Sequence, residues 1–393
     1  MEGPPVNVSS LTTVTSPRSV RLPGLISLED YDLVRTVILF IIDPVPLLFG
    51  IVSNFINVSV FCKMGVRDTV SVSFLVLSFS DLAVLLTGVV ETACYLPTKF
   101  FSKSFQNAVD MFGLGLLISR YKQPFYNFSV FVPTYIAVTR CFCVTFPLQF
   151  GGMFTRFRTI VVLSVTFTSI VVLYIPSLTL QDMRYRFDPR RNVTRLVTYF
   201  DPKRTVWMPV YSLGFKNIYV NVCFITCCIS TVILIISLKS AARTRRKIMG
   251  QTQADSTKSS SKVTKNIKDS STHDTEASTK EYESVKGSGS KPPDGKTLTP
   301  RDVQVVKSVV LVTLTFICTH IPVVILADVV RLFVPEFRFL GRYSNSVLAS
   351  FFVARTVVIL SSACNILVYF NFNTKFRETL RAMCCKRGLE NKY

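Results

Sequence analysis

Asp43, Asp81, Glu91, Lys122, Arg140 and Arg355 are ionisable side chains set in apolar sequence. A charge in the middle of a membrane costs about 3 kcal/mol on insertion scales, so such residues are normally paired or carry a function. Two kinds of chemistry are open to them: neutralising one another, or holding a polar or charged partner. Lys122 lies 18 residues before Arg140, which is five turns of an α-helix, so both sit on one face. Covalent catalysis has little footing. The two histidines are His273, in polar sequence, and His320, in apolar sequence. No nucleophile–base pair, phosphate-binding glycine loop or metal-ligand cluster accompanies them, so the chain reads as a non-enzyme without a cofactor, a sodium ion excepted as set out below.

Seven apolar stretches must position these residues, at about 34–62, 70–96, 111–145, 157–180, 210–238, 303–333 and 344–370. Each is long enough to cross a bilayer, which takes about 20 apolar residues. The chain is 49% hydrophobic, with a mean hydropathy of +0.40. The fold class expected is an all-α membrane protein: a seven-transmembrane helix bundle with an amphipathic surface helix after the seventh span. Residues 1–32 read as an extracellular tail, 33–385 as the seven-span domain, 372–386 as the surface helix and 387–393 as a cytoplasmic tail. In the surface helix Phe376, Leu380 and Met383 alternate with Lys375, Arg377 and Arg381 at helical spacing. Residues 242–300, poor in apolar side chains and rich in Ser, Thr, Lys and Gly, read as a disordered third cytoplasmic loop. The first 30 residues lack the apolar core and cleavage site of a signal peptide.

The net charge of +21 belongs to loops and tails and comes with no nucleic-acid motif. Basic residues in the third inner loop place it and the C-terminus inside, although the outer loop 181–209 is basic too. Glycosylation sequons at Asn7 and Asn192 fall on the outer side, whereas those at Asn57 and Asn127 fall inside spans. The eleven cysteines lie in or beside spans or in the tail, and no outer loop holds a pair, so no disulfide is expected. Cys384 and Cys385 follow the basic amphipathic segment and are either palmitoylation sites or small packed residues.

Five short motifs occur in order. Gly50 and Asn54 lie in the first span, Leu77-Ser78-Phe79-Ser80-Asp81-Leu82 in the second, and Arg140 stands ahead of Pro147-Leu148 at the end of the third. Phe316 and Pro322 lie in the sixth, and Asn365-Ile366-Leu367-Val368-Tyr369 followed by Phe376-Arg377 closes the seventh. On these the chain resembles the rhodopsin-like class of G-protein-coupled receptors over about residues 33–385. Phe61-Cys62-Lys63-Met64-Gly65, Ser73 to Asp81, Arg140-Cys141-Phe142-Cys143 and Thr374-Lys375-Phe376-Arg377 resemble, more narrowly, the gastropod-mollusc chemosensory receptor group.

The resemblance implies a multi-pass plasma-membrane receptor that takes an extracellular ligand and activates a heterotrimeric G protein. It implies a ligand pocket at Glu91, Lys122, Gln123, Tyr126, His320 and Arg355, and a coupling switch at Arg140, Asp302 and Tyr369. Asp81, Ser129, Ser361 and Asn365 correspond to the family's sodium site, since oxygen ligands around a carboxylate suit a hard cation; a water-filled polar cluster is the alternative. Lys122 and the basic outer loop favour a small anionic chemosensory molecule. A neuropeptide receptor of the same class and, from another class, a seven-span transporter remain open. By family geometry Asp43 and Glu91 lie near Arg355, so Arg355 either neutralises them or binds an anion. Asp302 either holds Arg140 at rest or is a solvated helix-start aspartate.

Several positions depart from the family pattern. Thr139 stands where an acid would pair with Arg140, Cys141 replaces tyrosine, and Ile366 replaces proline. His320 stands in place of tryptophan, and Trp207, the single tryptophan, lies outside the fourth span. Gly115 replaces the cysteine that would tether the outer loop, and the outer loop is expected to be looser for it.

Overall fold

The computed structural model describes residues 25–240 except 67, 97–101, 147–148, 150–151, 190–191, 212–213 and 215–216, together with 243 and 300–390 except 326–329, 335 and 338–340. The expected disordered loop 242–300 and the sequon at Asn7 therefore lie outside the described residues, apart from positions 243 and 300. Among the described residues, seven helices are long and apolar enough to cross a membrane. They are Leu28–Met64, Thr69–Tyr95, Met111–Thr145, Arg156–Thr179, Tyr219–Ser240, Val306–Val324 and Ser344–Phe372, the first to seventh spans below. Their outward faces are those of a protein bathed in hydrocarbon. Along the fifth span Val222, Ile225, Ile229, Val232 and Ile236, spaced by three and four, are each more than half exposed, as is Ile218 just before it. An uncovered apolar stripe of that length suits lipid and not water.

The first span begins earlier than its apolar run, at Leu28, because Ser27 accepts a hydrogen bond from the Asp30 amide at 3.0 Å and caps it. Midway it widens into a π-turn at Ile38–Ile42. Pro44 and Pro46 follow directly. A proline ring crowds the carbonyl one turn before it and offers no N–H, and a widened turn accommodates both. Asp43 sits at that joint, fully buried.

Small residues bring the first, second and seventh spans together. A Cβ on Gly50 would come within 2.9 Å of Leu85 and 3.1 Å of Ala363. One turn on, the Asn54 amide donates to the carbonyls of Gly50 at 2.9 Å and Ser362 at 2.8 Å. Close backbone approach stapled by a buried amide is a standard way to join helices in lipid. The largest core cluster fills the Arg140 end, around Phe61, Phe74, Ile136, Val309, Tyr369 and Phe376. A smaller one, Tyr31, Leu39, Tyr95, Ala349 and Phe352, fills the opposite end.

Among the described residues the fifth span runs from Tyr219. A separate helix, Arg204–Tyr211, precedes it, and Gly214, Ile218 and their described neighbour are π-helical. Ser212, Gly214 and Lys216 interrupt the apolar run there. The sixth-span helix is described over Pro300–Val324, and Val330–Phe333 is also helical. After the seventh span the chain bends at Asn373, whose side-chain oxygen accepts from the Phe376 amide at 3.1 Å and starts a helix over Thr374–Glu390. Phe376 is buried against Phe61 and Tyr369, with ring centroids at 5.3 and 5.7 Å.

The outer loop 181–209, which the sequence reading left without assigned secondary structure, holds an antiparallel hairpin. β1 (Gln181–Asp188) pairs with β2 (Val193–Phe200), from Gln181 opposite Phe200 to Asp188 opposite Val193. Alternation over Arg184-Tyr185-Arg186-Phe187 is the signal that could have revealed its first strand. Asn192 turns the tip in the left-handed region, φ 52°, a conformation that asparagine tolerates. It is exposed. Asn57 and Asn127, by contrast, are fully buried.

Candidate functional site

Four of the embedded charges meet at the hairpin end. Arg355 lies between the first and second spans and uses its whole fork. Nη1 pairs with Asp43 Oδ2, Nη2 donates to the Gly88 carbonyl at 2.9 Å and to Thr92 Oγ1, and Nε reaches Glu91 Oε2 at 3.4 Å. Lys122 Nζ binds the same Glu91 oxygen from the third span. Thr356 Oγ1 donates to the other Asp43 oxygen at 2.6 Å. Three members are almost wholly enclosed, Asp43 and Glu91 at 0% and the Arg355 side chain at 3%, while the Lys122 side chain is 14% exposed. Two cations meet two carboxylates, so the cluster is electrically neutral, which is the condition for burying charge at tolerable cost. An anion arriving here would have to displace a buried carboxylate. Thr92, Thr356 and the Gly88 carbonyl were not foreseen. Thr92 follows Glu91 directly and Thr356 follows Arg355, a proximity that could have nominated them.

One helical turn inward from Lys122, Tyr126 Oη lies 3.3 Å from His320 Nε2, with the rings stacked. His320 Nδ1 lies 3.0 Å from the Phe316 carbonyl. A carbonyl can only accept, so Nδ1 carries the proton, and in the neutral ring Nε2 accepts from the Tyr126 hydroxyl. Gln123 faces a different partner. It donates to Asn127 at 3.2 Å, and Asn127 in turn donates to Tyr174 Oη at 2.9 Å. Gln123 therefore ties the third span to the fourth instead of joining Lys122 and Tyr126.

Below His320 a small cavity of about 20 Å³ is lined by Tyr126, Phe316, His320, Ser361 and the group around Asp81. Asp81 Oδ1 accepts from Ser129 Oγ at 2.5 Å and Ser362 Oγ at 3.0 Å; Oδ2 accepts from Asn365 Nδ2 at 2.8 Å. The serine on Asp81 is thus Ser362 and not Ser361. Ser361 turns to the sixth span and accepts from Thr319 Oγ1 at 2.9 Å. Ser362 lies three residues before Asn365 and Ser361 four; both spacings fit one helix face, and only the rotation of the packed helix separates them. A carboxylate with two converging hydroxyl oxygens beside a cavity fits a small hard cation.

At the far end of the third span Arg140 is half-buried. The Thr139 hydroxyl is satisfied locally, on the Ile136 carbonyl at 3.0 Å. Asp302 belongs to the sixth-span helix, but its side chain lies outside the described residues, as does that of Cys385. Tyr369 is fully buried against Phe74, centroids 4.7 Å apart. Cys384 is an exposed thiol, and all the described cysteines are free.

The hairpin is fastened to the third span without sulfur. Asp110 caps that span by accepting from the Gly113 amide at 3.1 Å, and its other oxygen accepts from Thr198 Oγ1 at 3.1 Å. Its own amide donates to the Leu196 carbonyl at 2.9 Å. A Cβ on Gly113 would lie 1.6 Å from Thr198 Oγ1. Gly115, the position without its cysteine, is filled by Tyr95, whose ring would meet a Cβ there at 2.6 Å. The loop is therefore latched to the third span by hydrogen bonds. Its arginines are partly matched, Arg184 to Asp182 at 3.4 Å and Arg195 to Asp188 at 3.9 Å. Beside it Arg204 lies over the Phe200 ring at 4.0 Å, and burial there lowers its pKa.

Comparison with known proteins gives neither a matching family model nor a matching curated protein.

Proposed function

We propose that this chain is a rhodopsin-like G-protein-coupled receptor of the plasma membrane, of a chemosensory kind. The observation that carries the proposal is the polar column through one seven-helix bundle. It runs from the Glu91–Lys122 pair to Tyr126–His320, then to Thr319–Ser361 and the Asp81 group. Such a column links a site under the hairpin to the end that carries Arg140 and Tyr369. The ligand is an extracellular small molecule that contacts Lys122, Tyr126 and His320. Because Lys122 and Arg355 already hold carboxylates, the neutral cluster supports a net-anionic ligand less than the sequence did; an excess charge would be left unpaired in a low dielectric.

In this reading ligand binding favours a state with the sixth helix tilted outward. Differential affinity for the two states drives the shift. At rest Asp302 holds Arg140, since Thr139 cannot; on activation Arg140 contacts the heterotrimeric G protein. Asp81, Ser129, Ser362 and Asn365 would hold a sodium ion, which supplies a positive charge balancing Asp81 in the resting bundle. The helix Thr374–Glu390 lies on the inner membrane surface, with Cys384 and Cys385 acylated, and Asn7 and Asn192 carry glycans. Purified receptor with a heterotrimeric G protein should speed nucleotide exchange when the right ligand is added. Ligand uptake into proteoliposomes with no exchange on any G protein would favour a transporter and reject this proposal.

A further inference from the structure

Two buried polar atoms beside the neutral cluster have no hydrogen-bond partner among the described residues: Glu91 Oε1 and Tyr95 Oη. Glu91 is 0% exposed and Tyr95 4%. They lie one helical turn apart on the same face of the second span. One is an acceptor and the other a donor, and leaving either bond unmade in a buried site is costly. Beside them stands Lys122, the most exposed member of the cluster, whose ammonium shares Glu91 Oε2 with Arg355.

We infer that this end of the bundle is a subsite for a zwitterionic ligand head, an adjacent ammonium and carboxylate as in a free α-amino acid. The inference rests on the ligand site proposed above and names the class of ligand. The ammonium donates to Glu91 Oε1. The carboxylate takes Lys122 Nζ and accepts from Tyr95 Oη. Lys122 releases Glu91 Oε2; the ligand ammonium takes over its charge beside Glu91, and Arg355 Nε keeps its contact with that oxygen.

Charge balance selects the zwitterion over its relatives. The cluster has two cations and two carboxylates. A monoanion or a monocation would leave one uncompensated charge in the bundle, whereas a zwitterion leaves every ion paired. The rest of the ligand then follows the third span one turn inward, from Lys122 to Tyr126, and meets the stacked Tyr126–His320 pair above the cavity. An aromatic or apolar side chain suits that floor.

The test uses full-length protein in nanodiscs and reads its melting temperature, since a ligand that binds only the folded state raises it. The probes are the twenty common L-α-amino acids, with the N-acetyl acid and the methyl ester of each one that stabilises. At least one free amino acid should raise the melting temperature by several degrees, with neither blocked form doing so. Lys122→Gln should weaken that amino acid by about ten- to hundredfold, the loss of one charged hydrogen bond. If that variant does not fold, the blocked ligands still decide. Equal stabilisation by an N-acetyl acid would mean an anion site and overturn the inference. Equal stabilisation by an ester would mean a cation site, with the same result. No stabilisation by any amino acid would mean that water meets these two atoms, which also overturns it. Nucleotide exchange is measured separately. Binding of an amino acid without exchange rejects the receptor proposal and keeps the subsite; exchange driven by an uncharged ligand does the reverse.

Discussion

At the scale of single residues, what matters is how each embedded charge is satisfied. Arg355 bonds to Asp43, Glu91, Thr92 and the Gly88 carbonyl at once. Removing one partner of a buried pair strands the other, at about 3–5 kcal/mol. Arg355→Ala should therefore lower the melting temperature markedly. Arg355→Ala combined with Asp43→Asn should recover part of the loss, because fewer carboxylates are left uncompensated. Equal melting temperatures for wild type and the single variant would contradict the pairing. A second expectation separates two adjacent serines. Ser362→Ala removes a hydroxyl from Asp81 and should weaken stabilisation by sodium chloride relative to choline chloride; Ser361→Ala should leave it nearly unchanged. A larger effect at Ser361 would place the cation nearer Thr319.

At the scale of elements, the hairpin and the third span share one aspartate. Asp110 caps the helix and holds Thr198 and Leu196 of β2. Asp110→Ala should cost about 1 kcal/mol from the lost cap alone. It should also speed hydrogen exchange across Gln181–Phe200. Thr198→Val removes only the side-chain bond and should speed exchange in the hairpin without touching the start of the third span. Unchanged exchange in both variants would show that the latch holds nothing. Legibility in the sequence ran out here for a physical reason. A two-stranded hairpin has little apolar alternation of its own, and the arginines that mark it also read as a solvated loop. Its partner residues lie 88 positions apart, a separation that no local pattern records.

At the scale of the whole molecule, orientation and switching are the questions. Under the proposed topology the exposed Asn192 at the hairpin tip faces outside. Glycan mapping on protein from eukaryotic cells should find sugar there or at Asn7, and sugar anywhere in 242–300 would invert the topology. For the switch, Asp302→Asn should raise basal signalling at matched surface expression, and Arg140→Ala should abolish coupling while the protein still reaches the surface. Unchanged basal activity in the first variant would remove the resting lock; normal coupling in the second would remove Arg140 from the mechanism.

The sequence by itself determined the seven apolar spans and the charges embedded in them. Those properties follow from local composition and a 3.6-residue period, which bilayer thickness and backbone hydrogen bonding impose on any spanning segment. Periodicity also placed Lys122 and Arg140 on one face of the third span, while Glu91, Asp81 and Asn365 were set toward the interior only by what the family resemblance implies. Only the tertiary structure decided which faces meet and at what height. The π-turn before Pro44 carries Asp43 to Arg355. The rotation of the seventh span gives Ser362 and not Ser361 to Asp81. The close approach of the second and third spans makes Glu91 the shared partner of Lys122 and Arg355. Each outcome depends on kinks and on packing between segments tens to hundreds of residues apart, where a shift of one residue along a helix rotates a side chain by about 100°.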